Sequence, residues 1–185
     1  MRGFHLFDTA LGHCGIAWSD RGVVAVQLPE RDVAHTRARL VERIPEAREL
    51  TPPATVRDAV GAIAAHLRGE RSDLSRIVLD MEGLSPFHRR VYDAARTIPP
   101  AETLTYGQIA AVLGVPGGAR AVGQALGRNP FAIVVPCHRV VGSSGRIGGF
   151  SASGGVRTKL SLLSIERAAY GAAADAPHAA LSFEF

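Results

Sequence analysis

The chain is organised around the stretch Val134-Val135-Pro136-Cys137-His138-Arg139-Val140-Val141, in which a thiol, an imidazole and a guanidinium occupy consecutive positions. A cysteine thiol is mostly protonated at neutral pH, so a nucleophilic cysteine needs a neighbouring base or a positive field. Pro136 has no backbone donor, which predicts that a strand ends there and presents the thiol. The stretch therefore indicates a reactive cysteine, with a small buried hydrophobic residue as the alternative interpretation of Cys137.

Length and composition limit the class of protein. The 185 residues, of which 46% are hydrophobic, can form one ordinary domain or two small ones with a sizeable core. We find no apolar run of transmembrane length and no signal peptide, so we expect a cytoplasmic protein without a membrane partner. The two cysteines, Cys14 and Cys137, are expected to be free thiols in a reducing compartment.

Positive charge is concentrated in the second half of the chain. Residues 1–83 contain 11 Lys plus Arg and 12 Asp plus Glu, whereas residues 84–185 contain 10 and 5. A positive excess beside the candidate cysteine favours a polyanionic partner, because phosphate contacts dominate nucleic-acid affinity. An ordinary basic surface is the alternative for an excess of this size.

The N-terminal residues predict a small domain of strands and helices. The predicted strands are residues 4–8, 14–18, 23–28 and 77–79, the first three as an antiparallel meander, and the predicted helices are residues 32–43 and 55–67. We expect Thr55 to cap the second helix and Gly69 to end it. His5, His13 and Cys14 lack the spacing of paired metal ligands, so we predict no metal site and no catalytic group in this domain.

After a linker at residues 81–83, the sequence predicts a mostly helical domain. Ser85 is expected to cap a helix that Pro99 ends. Residues 105–113 and 118–126 predict a helix-turn-helix, and its first helix opens with a Thr-x-x-Gln capping box. Such a unit is common in DNA-binding proteins, where the second helix enters a groove.

The last part of the chain surrounds the Cys-His-Arg stretch. Residues 133–135 and 139–141 have strand patterns, residues 142–145 predict a turn, and residues 151–155 a loop of small side chains. A final helix is predicted at residues 156–167. Lys159 and Glu166 lie on one face of it, so they should face the same neighbour, with a salt-bridged surface as the alternative.

Other segments accompany the Cys-His-Arg stretch in a characteristic order and spacing. They are Thr105-Tyr106-Gly107-Gln108-Ile109-Ala110, Gly118-Ala119-Arg120-Ala121-Val122-Gly123, Arg128-Asn129-Pro130, Gly148-Gly149-Phe150-Ser151, and Lys159 with Glu166. With Pro136-Cys137-His138-Arg139-Val140 they closely resemble the O6-alkylguanine-DNA alkyltransferases, over about residues 84–168. The resemblance implies an α+β fold with three parts: a ribonuclease-H-like N-terminal domain (1–82), a winged helix-turn-helix domain for DNA binding and alkyl transfer (83–168), and a tail (169–185).

The same resemblance implies a reaction and roles for its residues. Cys137 would take the alkyl group from O6-alkylguanine, His138 would act as its base through a water, and Glu166 would orient the imidazole. Tyr106 would donate to guanine N3, and Lys159 would support Tyr106. Asn129 would brace the turn near the active site. Because the product is a thioether, each molecule would react once, without a cofactor or metal.

The resemblance also implies how DNA is held. Arg120 would enter the duplex where the damaged nucleotide has been flipped out, and Leu126 would lie near an apolar wedge. Ser151 and the backbone of Cys137 and Val140 would hold the guanine edge. Phe150 stands where the family usually has tyrosine, and the 151–155 loop is longer than expected. The implied partner is double-stranded DNA containing O6-methylguanine, with O4-methylthymine as a second candidate, bound by a monomer.

Three other functions fit parts of the sequence. Alkyltransferase-like proteins bind the lesion with the same fold but lack the cysteine, whereas Cys137 is present here. A winged-helix regulator would explain the helix-turn-helix but not the Cys-His-Arg stretch, Tyr106 or Glu166. An unrelated cysteine hydrolase would need an oxyanion hole, and we identify none in the sequence.

Overall fold

The structure, a computed structural model, describes residues 2–143 and 146–171. The predicted turn therefore falls partly outside the described residues, and so does most of the predicted tail. Gly142 N–H donates to the Arg146 carbonyl across that turn at 2.6 Å. Within the described ranges, no helix is long and apolar enough to cross a membrane.

A four-stranded sheet forms the first part of the fold, in the order β3-β2-β1-β4. The strands are β1 (Gly3–Thr9), β2 (Gly12–Ser19), β3 (Gly22–Gln27) and β4 (Arg48–Glu49). The first three form the predicted antiparallel meander, and β4 pairs in parallel with β1. The strand predicted at 77–79 is wrong. Leu79 alone forms a β-bridge, to Val23, and a 3-10 helix at Leu74–Arg76 precedes this segment.

Two helices accompany the sheet, α1 (Val33–Arg43) and α2 (Ala54–Leu67). The predicted cap at Thr55 is wrong, since α2 begins one residue earlier, after Pro53, and no side chain caps it. Gly69 does follow the end of α2 as predicted, with φ +79°, a backbone conformation that glycine adopts without steric cost.

The second part of the fold is mostly helical, as predicted. It contains α3 (Pro86–Arg96), β5 (Leu104–Thr105), α4 (Tyr106–Val112), α5 (Ala119–Gly127), β6 (Val140–Val141) and α6 (Val156–Tyr170). Ser85 caps α3 by accepting from the His88 N–H at 3.2 Å. The capping box of α4 is complete, because Thr105 and Gln108 each accept from the other's backbone N–H.

The main hydrophobic core extends through both parts of the chain. Its buried members include Val26 on β3, Ile63 on α2, Tyr92 on α3 and Phe131 in the segment before the cysteine. The Val26 N–H also donates to the Pro130 carbonyl at 2.8 Å, which ties the sheet to that segment. The division into domains at residue 83 stays a prediction, and the two parts share one core. The sheet is therefore packed and hydrogen-bonded against the segment that precedes Cys137.

Candidate active site

Cys137 lies at the start of a 3-10 helix, Cys137–Arg139, and not at the end of a strand. The strand predicted at residues 133–135 is wrong: Ile133 has φ +71°, and Ala132 forms a bridge to Val135 across a tight turn. The strand predicted at 139–141 is two residues long, as β6, and Arg139 belongs to the 3-10 helix. β-branched residues favoured a strand, but the turn conformation prevails because buried side-chain hydrogen bonds stabilise it.

Asn129 supplies those contacts. Its Nδ2 donates to the Val135 carbonyl at 2.9 Å, and its Oδ1 accepts from the Phe131 N–H at 2.9 Å, so one buried side chain closes the turn on both sides. The same Nδ2 lies 3.5 Å from Cys137 Sγ. Asn129 therefore connects the turn geometry directly to the sulfur, which fits the bracing role predicted for it.

Cys137 borders a pocket of about 490 Å³, within the usual range for small-ligand sites. Six residues singled out from the sequence line it: Tyr106, Arg120, Leu126, Cys137, Phe150 and Ser151. Arg120 and Ser151 are exposed at its rim, whereas Leu126 is buried and forms a wall. A wedge role for Leu126 stays a prediction. Val140 does not line the pocket, and its carbonyl accepts from Lys159 Nζ at 2.5 Å.

The thiol of Cys137 is protonated in the resting protein. Burial raises its pKa above the ordinary value, and this outweighs the opposite effects of the Asn129 hydrogen bond and the Lys159 charge. The cysteine therefore does not gain its reactivity from a stable thiolate. A base must remove the proton as the sulfur reacts.

His138 is placed to be that base. Its ring is fully buried, and Nε2 donates to Glu166 Oε1 at 2.7 Å. Nδ1 is buried without a described protein partner. Burial lowers the pKa of His138, although the Glu166 charge opposes this, so the ring is neutral near neutral pH and Nδ1 can accept a proton.

Glu166 is the centre of a buried polar cluster. Arg139 donates to both carboxylate oxygens and also to the Ile98 carbonyl, and the Ala101 N–H donates to Oε2. Burial alone would raise the pKa of Glu166, but hydrogen bonds from His138, His66 and Arg139 hold it well below the ordinary range. The carboxylate is therefore ionised and accepts hydrogen bonds only.

His66, His138 and Glu166 form the one group of described residues whose ligand atoms lie close enough together to hold a metal ion. Arg139 already neutralises the carboxylate from 2.8 Å, and a second cation there would be repelled. We therefore describe the group as a hydrogen-bond network. The expectation of no metal stays a prediction.

Lys159 and Tyr106 complete the wall behind the sulfur. Lys159 is fully buried, and Nζ lies 5.9 Å from the centre of the Tyr106 ring. Lys159 and Glu166 both face the 137–140 segment, as their helical spacing predicts, and not a salt-bridged surface. Burial raises the pKa of Tyr106, so its phenol stays protonated as a donor. Gly148, with φ +71°, lets the backbone approach the Tyr106 hydroxyl, since a Cβ there would lie 3.2 Å from Oη.

Comparison with known proteins agrees with this geometry. The family model described as "6-O-methylguanine DNA methyltransferase, DNA binding domain" matches residues 86–168. A methylated-DNA–protein-cysteine methyltransferase of Mycolicibacterium paratuberculosis is 43% identical over 151 residues, which cover 80% of this chain and 89% of that protein. The chain belongs to the methylated-DNA–protein-cysteine methyltransferase family.

Other members of the methyltransferase family extend the similarity to an archaeon and to solved structures. The Methanothermobacter thermautotrophicus protein is 37% identical, with 82% of this chain and 78% of that protein covered. The crystal structure of the Mycobacterium tuberculosis O6-methylguanine methyltransferase has a TM-score of 0.71 and 33% identity, with 97% of each chain covered. A structure of Mycobacterium tuberculosis OGT in complex with DNA has the same TM-score, with 90% and 94% covered. The predicted α+β fold is confirmed.

Two contributors to this methyltransferase site are absent from the residues predicted from sequence. The sequence identified Arg139 only as part of the Cys-His-Arg stretch. Arg139 and Glu166 are far apart in the chain, so no local sequence pattern reveals their ion pair. His66 lies in the half for which no catalytic group was predicted. Its position in the last turn of an amphipathic helix is typical of an ordinary core histidine, so only the fold could reveal its contact with Glu166.

Proposed function

We propose that this protein repairs O6-alkylguanine in double-stranded DNA by transferring the alkyl group irreversibly to Cys137. The observation that carries the proposal is the pocket in which the Cys137 sulfur, the Tyr106 phenol and the exposed Arg120 meet. An alkyl group on guanine O6 is inaccessible in stacked DNA, so a flipped nucleotide must enter such a pocket. The related Mycobacterium tuberculosis OGT in complex with DNA supports DNA as the partner.

The proposed reaction uses the resting protonation states. His138 Nδ1 takes the thiol proton through a water while Sγ attacks the alkyl carbon. The S–C bond forms as the C–O6 bond breaks, and the bonding pair passes to the guanine. Tyr106 donates to guanine N3 and stabilises the developing negative charge. The guanine finally gains the proton that the thiol lost, so atoms and charge balance.

Glu166 and Lys159 act through other residues in this proposal. The ionised Glu166 holds the His138 tautomer and stabilises the imidazolium that forms, as in a hydrolase triad. The buried Lys159 ammonium favours the developing thiolate. Ser151 holds the guanine edge from the rim, and Phe150 packs at the lip of the pocket. Val140 contributes through its carbonyl, which anchors Lys159. The thioether has no leaving group, so each molecule reacts once.

The proposal also covers substrate range, assembly and location. O6-methylguanine is the main substrate and O4-methylthymine a second one. We propose a monomer, since one chain supplies every residue of the site. We propose a cytoplasmic location, because a reducing compartment keeps Cys14 and Cys137 as the free thiols seen in the structure.

The test is intact-protein mass after incubation with a short duplex containing one O6-methylguanine. We expect a gain of one methyl group per molecule, mapped to the Cys137 peptide and absent from Cys137→Ala. No gain, with tight lesion binding retained, would overturn alkyl transfer and support a lesion-binding protein. A duplex with O4-methylthymine and a sedimentation measurement test the substrate range and the monomer.

A further inference from the structure

One imidazole of the Glu166 cluster comes from the N-terminal part of the chain. His66 lies in the last turn of α2, is 2% exposed, and places Nε2 3.0 Å from Glu166 Oε1. The two residues are 100 positions apart. The proposed reaction assigns His66 no task, although it contacts the same oxygen as the catalytic imidazole.

The direction of this hydrogen bond follows from the charge of Glu166. The carboxylate is ionised and can only accept, so His66 must donate through an Nε2–H. The same holds for His138. Both rings therefore carry a proton on Nε2, and Nδ1 is the second nitrogen of each.

Glu166 Oε1 is shared among three residues that donate to it. His138 Nε2, Arg139 Nη2 and His66 Nε2 lie 2.7, 2.8 and 3.0 Å away. His138 and Arg139 are adjacent on one 3-10 turn, so they move together. His66 reaches Oε1 from outside that turn, as the Ala101 N–H reaches Oε2 at 3.1 Å. These two donors fix the carboxylate independently of the segment that carries the cysteine.

His66 also lines a cavity of about 220 Å³, together with Ser72 and Arg96. His66 Nδ1, Ser72 Oγ and Arg96 Nε are buried atoms without described partners. Asp73, Arg139 and Tyr170 are the cavity's other titratable or charged neighbours, and Tyr170 also contacts the His66 ring. A cavity with several polar atoms can hold water, which can satisfy these buried groups.

We propose that His66 is a positioning residue for alkyl transfer. Its Nε2–H holds the Glu166 carboxylate in the orientation that His138 requires, and by sharing Oε1 it limits the negative charge presented to His138. His66 does not touch the reacting atoms. This inference rests on the proposed function, and it adds a contribution of the N-terminal part to the chemistry.

The test compares two substitutions that separate the donor from the ring. His66→Phe keeps a planar ring and removes the N–H, whereas His66→Gln keeps an N–H at similar reach. We expect His66→Phe to slow single-turnover methyl transfer by about tenfold, since small misplacements of catalytic groups are costly, with lesion-duplex Kd changed less than about twofold. His66→Gln should recover the rate to within about threefold.

A matched control perturbs the same neighbourhood without touching Glu166. Tyr170 contacts the His66 ring, and its hydroxyl bonds Ser72 N–H and Ser72 carbonyl. Tyr170→Phe removes those bonds and should keep the wild-type transfer rate. Equal rate losses in His66→Phe, His66→Gln and Tyr170→Phe, in step with Tm, would mean that His66 only packs the core, and would overturn the proposal.

The pH profile supplies a readout that packing would not move. Transfer requires neutral His138, so the rate falls as pH drops through the pKa of that ring. Without the His66 donor, Oε1 binds the imidazolium more strongly, and the fall should begin about half a pH unit higher in His66→Phe. An unchanged profile in His66→Phe would overturn the proposal.

Ring nitrogen NMR of the unmodified protein tests the geometry even if the variants fail to fold. We expect Nε2–H tautomers for both His66 and His138, and a neutral Nδ1–H tautomer of His66 would overturn the proposal. This measurement does not depend on transfer. A wild-type protein with both Nε2–H tautomers but no methyl uptake would refute the proposed function alone.

Discussion

Cys14 and Cys137 are both buried, but their surroundings differ in whether a neighbouring group can accept the thiol proton. Cys14, on β2, is fully buried among core residues, contacts Thr9, and has a pKa raised to about 12 by burial. Cys137 is also buried and its pKa is also raised. Only Cys137 combines a pocket with Asn129, Lys159 and a neutral histidine whose Nδ1 can accept a proton. Burial alone would leave a thiol inert, and a neighbouring proton acceptor is what the proposed reactivity of Cys137 requires.

The largest effect should come from disabling the base beside Cys137, so that its buried thiol keeps its proton as the thiol of Cys14 does. Glu166→Gln removes the charge that orients His138 and leaves the Arg139 guanidinium buried without a counterion. We expect single-turnover transfer to fall by at least about a hundredfold, and unfolding to cost about 3–5 kcal/mol less, because breaking a buried ion pair strands a charge.

Transfer kinetics and denaturant unfolding measure both effects of Glu166→Gln. Glu102→Gln is the control, because Glu102 is exposed and outside the cluster. Wild-type transfer by Glu166→Gln would show that His138 acts without its carboxylate and would remove Glu166 from the proposed mechanism.

The reactivity of the thiols towards a small reagent should depend steeply on pH. Because burial raises the pKa of Cys137, its thiolate fraction is small at neutral pH, and alkylation by iodoacetamide should accelerate by about tenfold per pH unit between roughly pH 7 and 9. The folded protein should show no labelling of Cys14 over the same time. Peptide mass spectrometry separates the two sites, and a rate of Cys137 labelling that is flat above pH 7 would contradict a protonated resting thiol.

Asn129→Ala should have an intermediate effect confined to the active-site turn. The change leaves the Val135 carbonyl and the Phe131 N–H without their partner, which costs about 1–3 kcal/mol of unfolding free energy per buried group. We expect transfer to slow by about tenfold as the turn loosens. Differential scanning calorimetry and methyl uptake report the two quantities, and full stability with full activity would show that the turn holds without Asn129.

Cys14→Ala should have the smallest effect. Removing a fully buried sulfur leaves a small cavity worth about 1 kcal/mol of unfolding free energy, and nothing connects that site to the reaction. Transfer should stay within about twofold of wild type. Loss of methyl uptake in Cys14→Ala, with the fold intact by circular dichroism, would break the contrast between the two cysteines.

Sequence patterns predicted most elements whose cause is local. The capping box of Thr105 and Gln108 and the cap at Ser85 depend on side chains that bond backbone groups nearby in the chain. The meander follows from strand patterns that are separated by turn residues. The patterns failed where specific buried hydrogen bonds oppose the propensity, as at residues 133–135, whose β-branched run turns because Asn129 bonds both sides of it. Residue propensity carries less free energy than such buried hydrogen bonds and packing.

The sequence by itself determined the family and predicted the nucleophile and its adjacent base, because Pro136, Cys137 and His138 are consecutive and their chemistry is intrinsic to the residue types. Tertiary structure alone decided the protonation states, since burial sets the pKa of Cys137 and His138 and no spacing reports burial. It also decided that His66, from the N-terminal part, shares Glu166 with His138. Contacts across 100 residues arise from packing of the whole chain, which a local pattern does not encode.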